Sequence, residues 1–305
     1  MLKSIGAQPS RRTVLTLGAG TALAAAVSTG GTAYASTSAG DRISRQLRAL
    51  EAEHSARLGV FARNMVTGKT VVHRADELFP MCSTFKTVAV AAVLRDLDHD
   101  GTFLAKRIHY TAEYAKDSGY DEVTGREKNV ANGMTVEELC GAAISYSDNA
   151  AANLLLTELG GPTAVTRFCR SIGDGTTRLD RWEPKLNSAE PDRITDTTTP
   201  RAIGRTYAQL VLGNALDPAD RKRLTGWLLA NTTSDHKFRA GFKGWTVADK
   251  TGSGSYGTSN DVGVVWTPKR SPVVVSVLTT KHEPKAAGDE ALVRKTAELL
   301  APLLA

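Results

Sequence analysis

The chain has 305 residues, 41% of them hydrophobic, which suits one large or two interleaved domains with a sizeable core. Its formal net charge is +6, with Lys and Arg scattered rather than blocked and no aromatic platform beside them, so nucleic acid is not an expected partner. Three cysteines (Cys82, Cys140, Cys169) and six histidines form no HExxH or other metal-ligand spacing, so neither a metal nor a cofactor is expected.

The elements follow in chain order. Ser10-Arg11-Arg12-Thr13-Val14-Leu15 has the form of a twin-arginine export motif, and an apolar run from Val14 to Val27 follows. That run falls short of the ~20 apolar residues of a membrane span but suits a signal core. Ala33-Tyr34-Ala35 places small residues at both cleavage-determining positions. Residues 1–35 therefore read as a signal peptide, and the mature protein is expected to be secreted, with no stable membrane association.

Residues 36–40 read as a flexible start. Ile43, Leu47, Leu50 and His54 recur at helical spacing and predict an amphipathic helix over 41–57. Gly59 to Met65 and Thr70 to His73 read as strands joined by a Thr67-Gly68-Lys69 turn. A helix beginning around Ser83 is apolar most of the way round, as a buried helix is. Thr135-Val136-Glu137-Glu138 is a capping-box pattern opening a helix over 136–145. Another helix runs from 149 to 158, and Pro162 suits the first turn of the next. Residues 174–198 are rich in Asp, Pro and Thr without periodicity, and so long a loop inside a domain is usually functional. Helices over 200–213 and 219–230 precede strands near 245–251, 259–267 and 272–280, and an amphipathic helix over 289–304 follows.

This order predicts an α/β (α+β) fold. Strands from both ends make one five-stranded antiparallel sheet flanked by helices, and a mostly helical domain is inserted between them. The expected division places 36–82 and 231–305 in the sheet domain and 83–230 in the helical one. Clefts between such lobes favour ligand sites.

Three short motifs carry the chemistry. In Ser83-Thr84-Phe85-Lys86, helical i, i+3 spacing sets the Lys86 amine beside a serine hydroxyl that needs a base to become a nucleophile. A partly buried lysine has a lowered pKa and can relay a proton. Ser147-Asp148-Asn149 offers a second hydroxyl and an amide, although the same residues are good helix caps. Lys250-Thr251-Gly252-Ser253 sits in a strand; Gly252 permits close approach to the backbone, and Lys250, Thr251 and Ser253 suit a carboxylate. Singly, each motif is as well read as an ordinary turn or cap.

In this order and at these separations, the three motifs resemble the signature of the penicillin-recognising serine enzymes. Arg178-Leu179-Asp180-Arg181-Trp182-Glu183-Pro184-Lys185-Leu186-Asn187 further resembles the omega-loop of class A β-lactamases, here spanning 178–196. Arg107-Ile108-His109-Tyr110, Gly133-Met134-Thr135 and Asp148-Asn149-Ala150-Ala151-Ala152-Asn153-Leu154 extend the likeness over nearly the whole chain beyond the leader, and it is nearest the actinobacterial type. The resemblance implies hydrolysis of the β-lactam amide of penicillins, and of cephalosporins in some members, giving antibiotic resistance. Ser83 would form the acyl-enzyme, with backbone N–H groups of Ser83 and Ser253 as oxyanion hole. Ser147 would pass a proton from Lys86 to the ring nitrogen, and Asn149 would bind the substrate amide. Glu183, with Asn187, would direct the deacylating water. Pro184 permits a cis peptide, Arg181 and Asp196 would close the loop, Asn153 would brace it, and Tyr120 would wall the cleft. Lys86 and Glu183 both stand as candidates for the acylation base. The expected partners are small-molecule β-lactams, acted on by a monomer.

The chain also departs from that family. Cys140 lacks its usual disulfide partner, because the position seven residues after the nucleophile is Val90. Cys82 lacks the partner seen in carbapenem-hydrolysing relatives, because that position is Gly254. A substrate-binding Arg common on the strand after Lys250-Thr251-Gly252 is replaced by Ser259, leaving Lys237 or Arg239 to supply the charge. The alternatives are a DD-peptidase, which should lack Glu183 and Asn187, and a penicillin sensor, which should carry a membrane span.

Overall fold

The structure, a computed structural model, describes residues 34–305, with side chains from Gly40 onward. The twin-arginine motif and the apolar run of the leader lie outside the described residues. Residues Asp41–Ala305 form one compact unit.

A helix spans Tyr34–Glu53. It starts before the predicted 41 and so includes 36–40, expected as a flexible start. It ends before the predicted 57, because Ser55 takes φ 47° and the chain turns directly into a strand. Five of the strands that follow build the main sheet: β1 (Arg57–Asn64), β2 (Thr70–His73), β3 (Thr246–Gly254), β4 (Thr258–Trp266) and β5 (Pro272–Thr280). They form the expected five-stranded antiparallel sheet, in the order β2-β1-β5-β4-β3. The segment of β3 that carries Lys250-Thr251-Gly252 thus lies on an edge strand, open on one side to the middle of the chain.

Strand alternation sorts the core into two layers. Leu58, Val60 and Ala62 of β1 pack with Val273, Val275 and Val277 of β5 against Leu292, Val293 and Leu300 of the C-terminal helix Glu290–Leu304. The opposite face, with Phe61, Val274 and Leu278, joins Ile203 and Tyr207 of the helix Pro200–Val211 in the larger core. That core centres on the helix Phe85–Asp96, whose residues Phe85 to Leu94 are all buried. The helix Val136–Ser145 starts at the predicted capping box, with Thr135 Oγ1 accepting from Glu138 N and Glu138 Oε2 accepting from Thr135 N. The helix Asn149–Glu158 follows, capped by Asp148. Short helices at Thr102–Ala105, Ala112–Asp117, Glu127–Asn132 and Phe238–Gly241 escaped the periodicity reading because none exceeds two turns.

Candidate active site

Ser83 lies in the 3-10 turn Cys82–Thr84 that leads into the buried helix. The turn is held from three directions. Tyr207 Oη donates to Thr84 O at 2.8 Å, Asn260 Nδ2 of β4 donates to Pro80 O at 2.8 Å, and Met81 N donates to Asp196 O at 3.1 Å. Cys82 adopts φ 44°, a left-handed conformation that costs a non-glycine residue on the order of 1 kcal/mol. Gly252 is required here: a Cβ on it would lie 2.9 Å from Met81 O and 3.3 Å from Ser83 N. The backbone of β3 therefore runs directly against that of Ser83.

Behind Ser83 sits a fully buried ion pair, with Lys86 Nζ 3.1 Å from Glu183 Oε1. Ser83 Oγ donates to the same Oε1 at 3.1 Å. The Lys86 ammonium also donates to Ser147 O at 2.7 Å and Asn149 Oδ1 at 2.6 Å, and lies 3.5 Å from Ser147 Oγ. Burial lowers the pKa of Lys86, opposed chiefly by the charge of Glu183. Ser147, like Cys82, has positive φ (61°), and Asp148 beside it is buried and accepts from Val123 N, Thr124 N and Ala151 N. Asp148 caps the helix Asn149–Glu158, while Ser147 and Asn149 on either side of it line the same cleft.

Glu183 stands on the 178–196 loop. Its peptide bond to Pro184 is cis, and Asn187 Nδ2 donates to Glu183 Oε2 at 2.5 Å. Arg181 Nε donates to Asp196 Oδ2 at 2.7 Å, while Asp196 Oδ1 accepts from Asp180 N and Arg181 N. A cleft of about 320 Å³ opens in front, and Ser83, Ser147, Asn149, Asn187, Thr251 and Ser253 are among its lining residues. Tyr120 stands at its rim, 44% exposed, its hydroxyl donating to Glu122 and its pKa raised to about 12 by that bond first and by burial second.

The far end of the cleft is cationic. Lys250 is buried under Thr251 and donates to its carbonyl at 3.0 Å. Burial, reinforced by the charges of Lys86 and Lys237, takes its pKa well below that of a free lysine. Lys237 lines the cleft, whereas Arg239 is turned away and donates to Leu229 O and Ser234 Oγ. Of the two cations left open by the sequence, Lys237 is the one at the site. The pKa of Lys237 is lowered by burial.

Sequence reading missed four residues here. Thr233 bonds Thr251 Oγ1 at 2.5 Å, and Glu290 lines the cleft 4.0 Å from Lys237. Asp249 and Asp261 are fully buried in adjacent strands. A signal existed only for the last two, since an aspartate inside a Val-rich strand needs a partner.

All three cysteines are free and buried, and burial raises each thiol pKa. A Cβ at Gly254 would come within 2.8 Å of Cys82 Sγ, so the absent disulfide position does lie against that cysteine. Among the described residues, no group of three or more His, Cys, Asp or Glu is placed to hold a metal ion, and no helix is long and apolar enough to cross a membrane.

Residues 42–301 match the model of the beta-lactamase enzyme family. The chain is 67% identical over 300 residues to a beta-lactamase of Streptomyces lavendulae, covering 98% of both chains. It is 49% identical to beta-lactamase AST-1 of Nocardia asteroides, covering 84% of this chain and 81% of that one. The solved structure of the beta-lactamase from Streptomyces albus G superposes with a TM-score of 0.86 at 60% identity, over 87% of this chain and all of that one. With Ser83, Lys86 and Glu183 converging at one cleft and relatives of this identity over almost its full length, the chain belongs to the beta-lactamase enzyme family.

Proposed function

We propose that the protein hydrolyses the β-lactam amide bond through an acyl-enzyme on Ser83, as a class A enzyme conferring resistance to penicillins. The observation that carries this reading is the shared oxygen of Glu183: Oε1 takes both the Ser83 hydroxyl and the Lys86 ammonium, each at 3.1 Å. The site thus holds a nucleophile and a buried amine on one carboxylate oxygen, an arrangement suited to proton transfer.

Ser83 Oγ attacks the ring carbonyl, and the backbone N–H groups of Ser83 and Ser253 stabilise the oxyanion. The contact of Gly252 with Ser83 N supports this, because it brings the next residue of β3 to the same point. The Ser83 proton leaves to Glu183, whose Oε1 accepts from Ser83 Oγ at 3.1 Å, or to Lys86, whose amine shares that oxygen. Ser147 delivers a proton to the ring nitrogen as it departs. Asn149 binds the substrate side-chain amide, Tyr120 bounds it, and Lys250, Lys237, Thr251 and Ser253 take its carboxylate. In the second half, Glu183 and Asn187 hold a water that attacks the ester, and Glu183 accepts its proton. Glu183 and Asn187 favour hydrolysis over the DD-peptidase reading, in which an acyl-enzyme persists.

Two further readings belong to the same proposal. The protein is exported as a folded monomer after a twin-arginine leader, supported by the motif at Arg11-Arg12 and the 1–35 composition. Its cleft divides a sheet lobe (36–82, 231–305) from a helical lobe (83–230), supported by the fact that Ser253 of β3 and Ser147 of the inserted helical segment both line it. Purified mature protein mixed with benzylpenicillin or nitrocefin should complete many turnovers per enzyme; a single stoichiometric burst would overturn hydrolysis in favour of a peptidase or sensor.

A further inference from the structure

Beyond Ser253 the cleft does not end. A second hollow of about 480 Å³ adjoins it, lined by Gly254, Thr258, Ser259, Gly288, Asp289 and Glu290 among others. Ser253 and Glu290 line both spaces, so the two meet at the end where Lys237 and Lys250 lie. Apart from Asp289 and Glu290, its lining residues are small. Ser259 Oγ is buried there and has no hydrogen-bond partner.

The charges around this hollow are not equivalent. Asp289 is engaged by His54 Nδ1 and Lys281 Nζ, both at 2.9 Å, and caps the C-terminal helix. Lys237 is only 2% exposed and faces Asp261 and Asp249 as well as Glu290. Glu290 lies 4.0 Å from Lys237, at the outer limit of an ion pair, and its side chain is 48% exposed. A carboxylate so placed repels a substrate carboxylate held at Lys237 and attracts a cation lying just beyond it.

We infer that Glu290 and the hollow behind it form a subsite for a cationic substituent attached next to the substrate carboxylate, so that zwitterionic cephalosporins with a quaternary nitrogen there are preferred over those with a neutral group. The inference rests on the β-lactam hydrolysis proposed above and names a substrate class for the same site. Bound substrate alternates in sign with the protein: its carboxylate meets Lys237 and Lys250, and its cation meets Glu290. Ser259 leaves room for the substituent where a long side chain would fill the hollow.

The test compares cephaloridine and cephalothin, which share one side chain and differ only in a pyridinium or a neutral acetoxy group at this position. In the wild type, kcat/KM should favour cephaloridine. Glu290→Gln should reduce the cephaloridine-to-cephalothin ratio on the order of threefold to tenfold, as one partly exposed charge permits, mostly through KM. Glu290→Lys should reduce it further, and added salt should shrink the wild-type ratio. An unchanged ratio in both variants, with turnover intact, overturns the subsite alone. Absence of turnover of any β-lactam by the wild type overturns the hydrolysis reading itself.

Discussion

Asn153 and Glu183 are joined by two opposed hydrogen bonds: Asn153 Nδ2 donates to Glu183 O at 2.9 Å, and Glu183 N donates to Asn153 Oδ1 at 3.0 Å. One amide side chain on the helix Asn149–Glu158 thus fixes the loop peptide that carries the catalytic candidate. Both ends are buried, so neither can turn to solvent for a replacement.

Asn153→Ala removes both bonds and leaves a buried N–H and C=O unpaired. The expected loss is about 2–4 kcal/mol of stability, at ~1–3 kcal/mol per orphaned buried group less local relaxation. Glu183 would also lose its register against Ser83, slowing deacylation more than acylation. Urea unfolding and stopped-flow acylation measure the two effects; unchanged stability together with unchanged turnover would remove Asn153 from the bracing role.

Glu183→Ala should still react with benzylpenicillin but accumulate the acyl-enzyme, which mass spectrometry reads as a stable covalent adduct on Ser83. General-base assistance contributes roughly 10²–10⁴-fold, and turnover should fall by at least that much. The adduct distinguishes this from misfolding, because an unfolded site would not acylate. Rapid continued turnover would remove Glu183 from its role.

The sequence made the sheet legible because β1 and β5 are short apolar runs, buried almost throughout and bounded by turn residues, and made the motifs legible because their residues are few and ordered. Lys86 beside Ser83 follows from helical spacing, although a 3-10 turn rather than the helix itself holds the serine. The Glu183 contact, 100 positions from Ser83, has no local signature and came only through resemblance. Glu290 was invisible because an acid in the first turn of a helix is ordinary chemistry for that place; only the packing of that helix end beside Ser253 gives it a second meaning.

Lys250 makes a pH prediction. Its folded pKa lies well below the ordinary lysine value, chiefly through burial. As pH rises through that folded pKa, the ammonium charge is lost and KM for penicillins should rise, well before an exposed lysine would titrate. Stability should move the other way. Between the folded pKa and about 10.4, the unfolded chain holds a proton the folded chain has released, so unfolding binds protons and stability grows with pH. A KM that stays flat up to the range of a free lysine would contradict the assignment of Lys250 to the carboxylate.

Asp249 and Asp261 supply the last prediction. Asp261 Oδ2 accepts from Phe238 N at 3.1 Å, and Asp249 Oδ1 accepts from Asn231 Nδ2 at 3.0 Å. Asp261 Oδ1 and Asp249 Oδ2 are buried without a hydrogen-bond partner, and one proton shared between the two carboxyls would satisfy both. Burial first, and the neighbouring Asp249 second, push Asp261 well above the usual carboxyl range, which favours its protonated form. Asp261→Asn reproduces a protonated acid, since its amide can donate to Asp249 and its oxygen can accept from Phe238. It should leave stability within about 1 kcal/mol, while Asp261→Ala, which strips the buried Asp249 of its donor, should cost about 3–5 kcal/mol. The pH slope separates the cases further. Above the unfolded value of about 3.9, the folded chain keeps a proton the unfolded chain has lost, so this pair's contribution is full below that pH and fades as pH rises through the raised folded pKa. Asp261→Asn should abolish that component in urea unfolding measured from pH 4 upward. An Asn variant as damaged as the Ala variant would mean that Asp261 is ionised and that its charge, not its proton, supports Lys237.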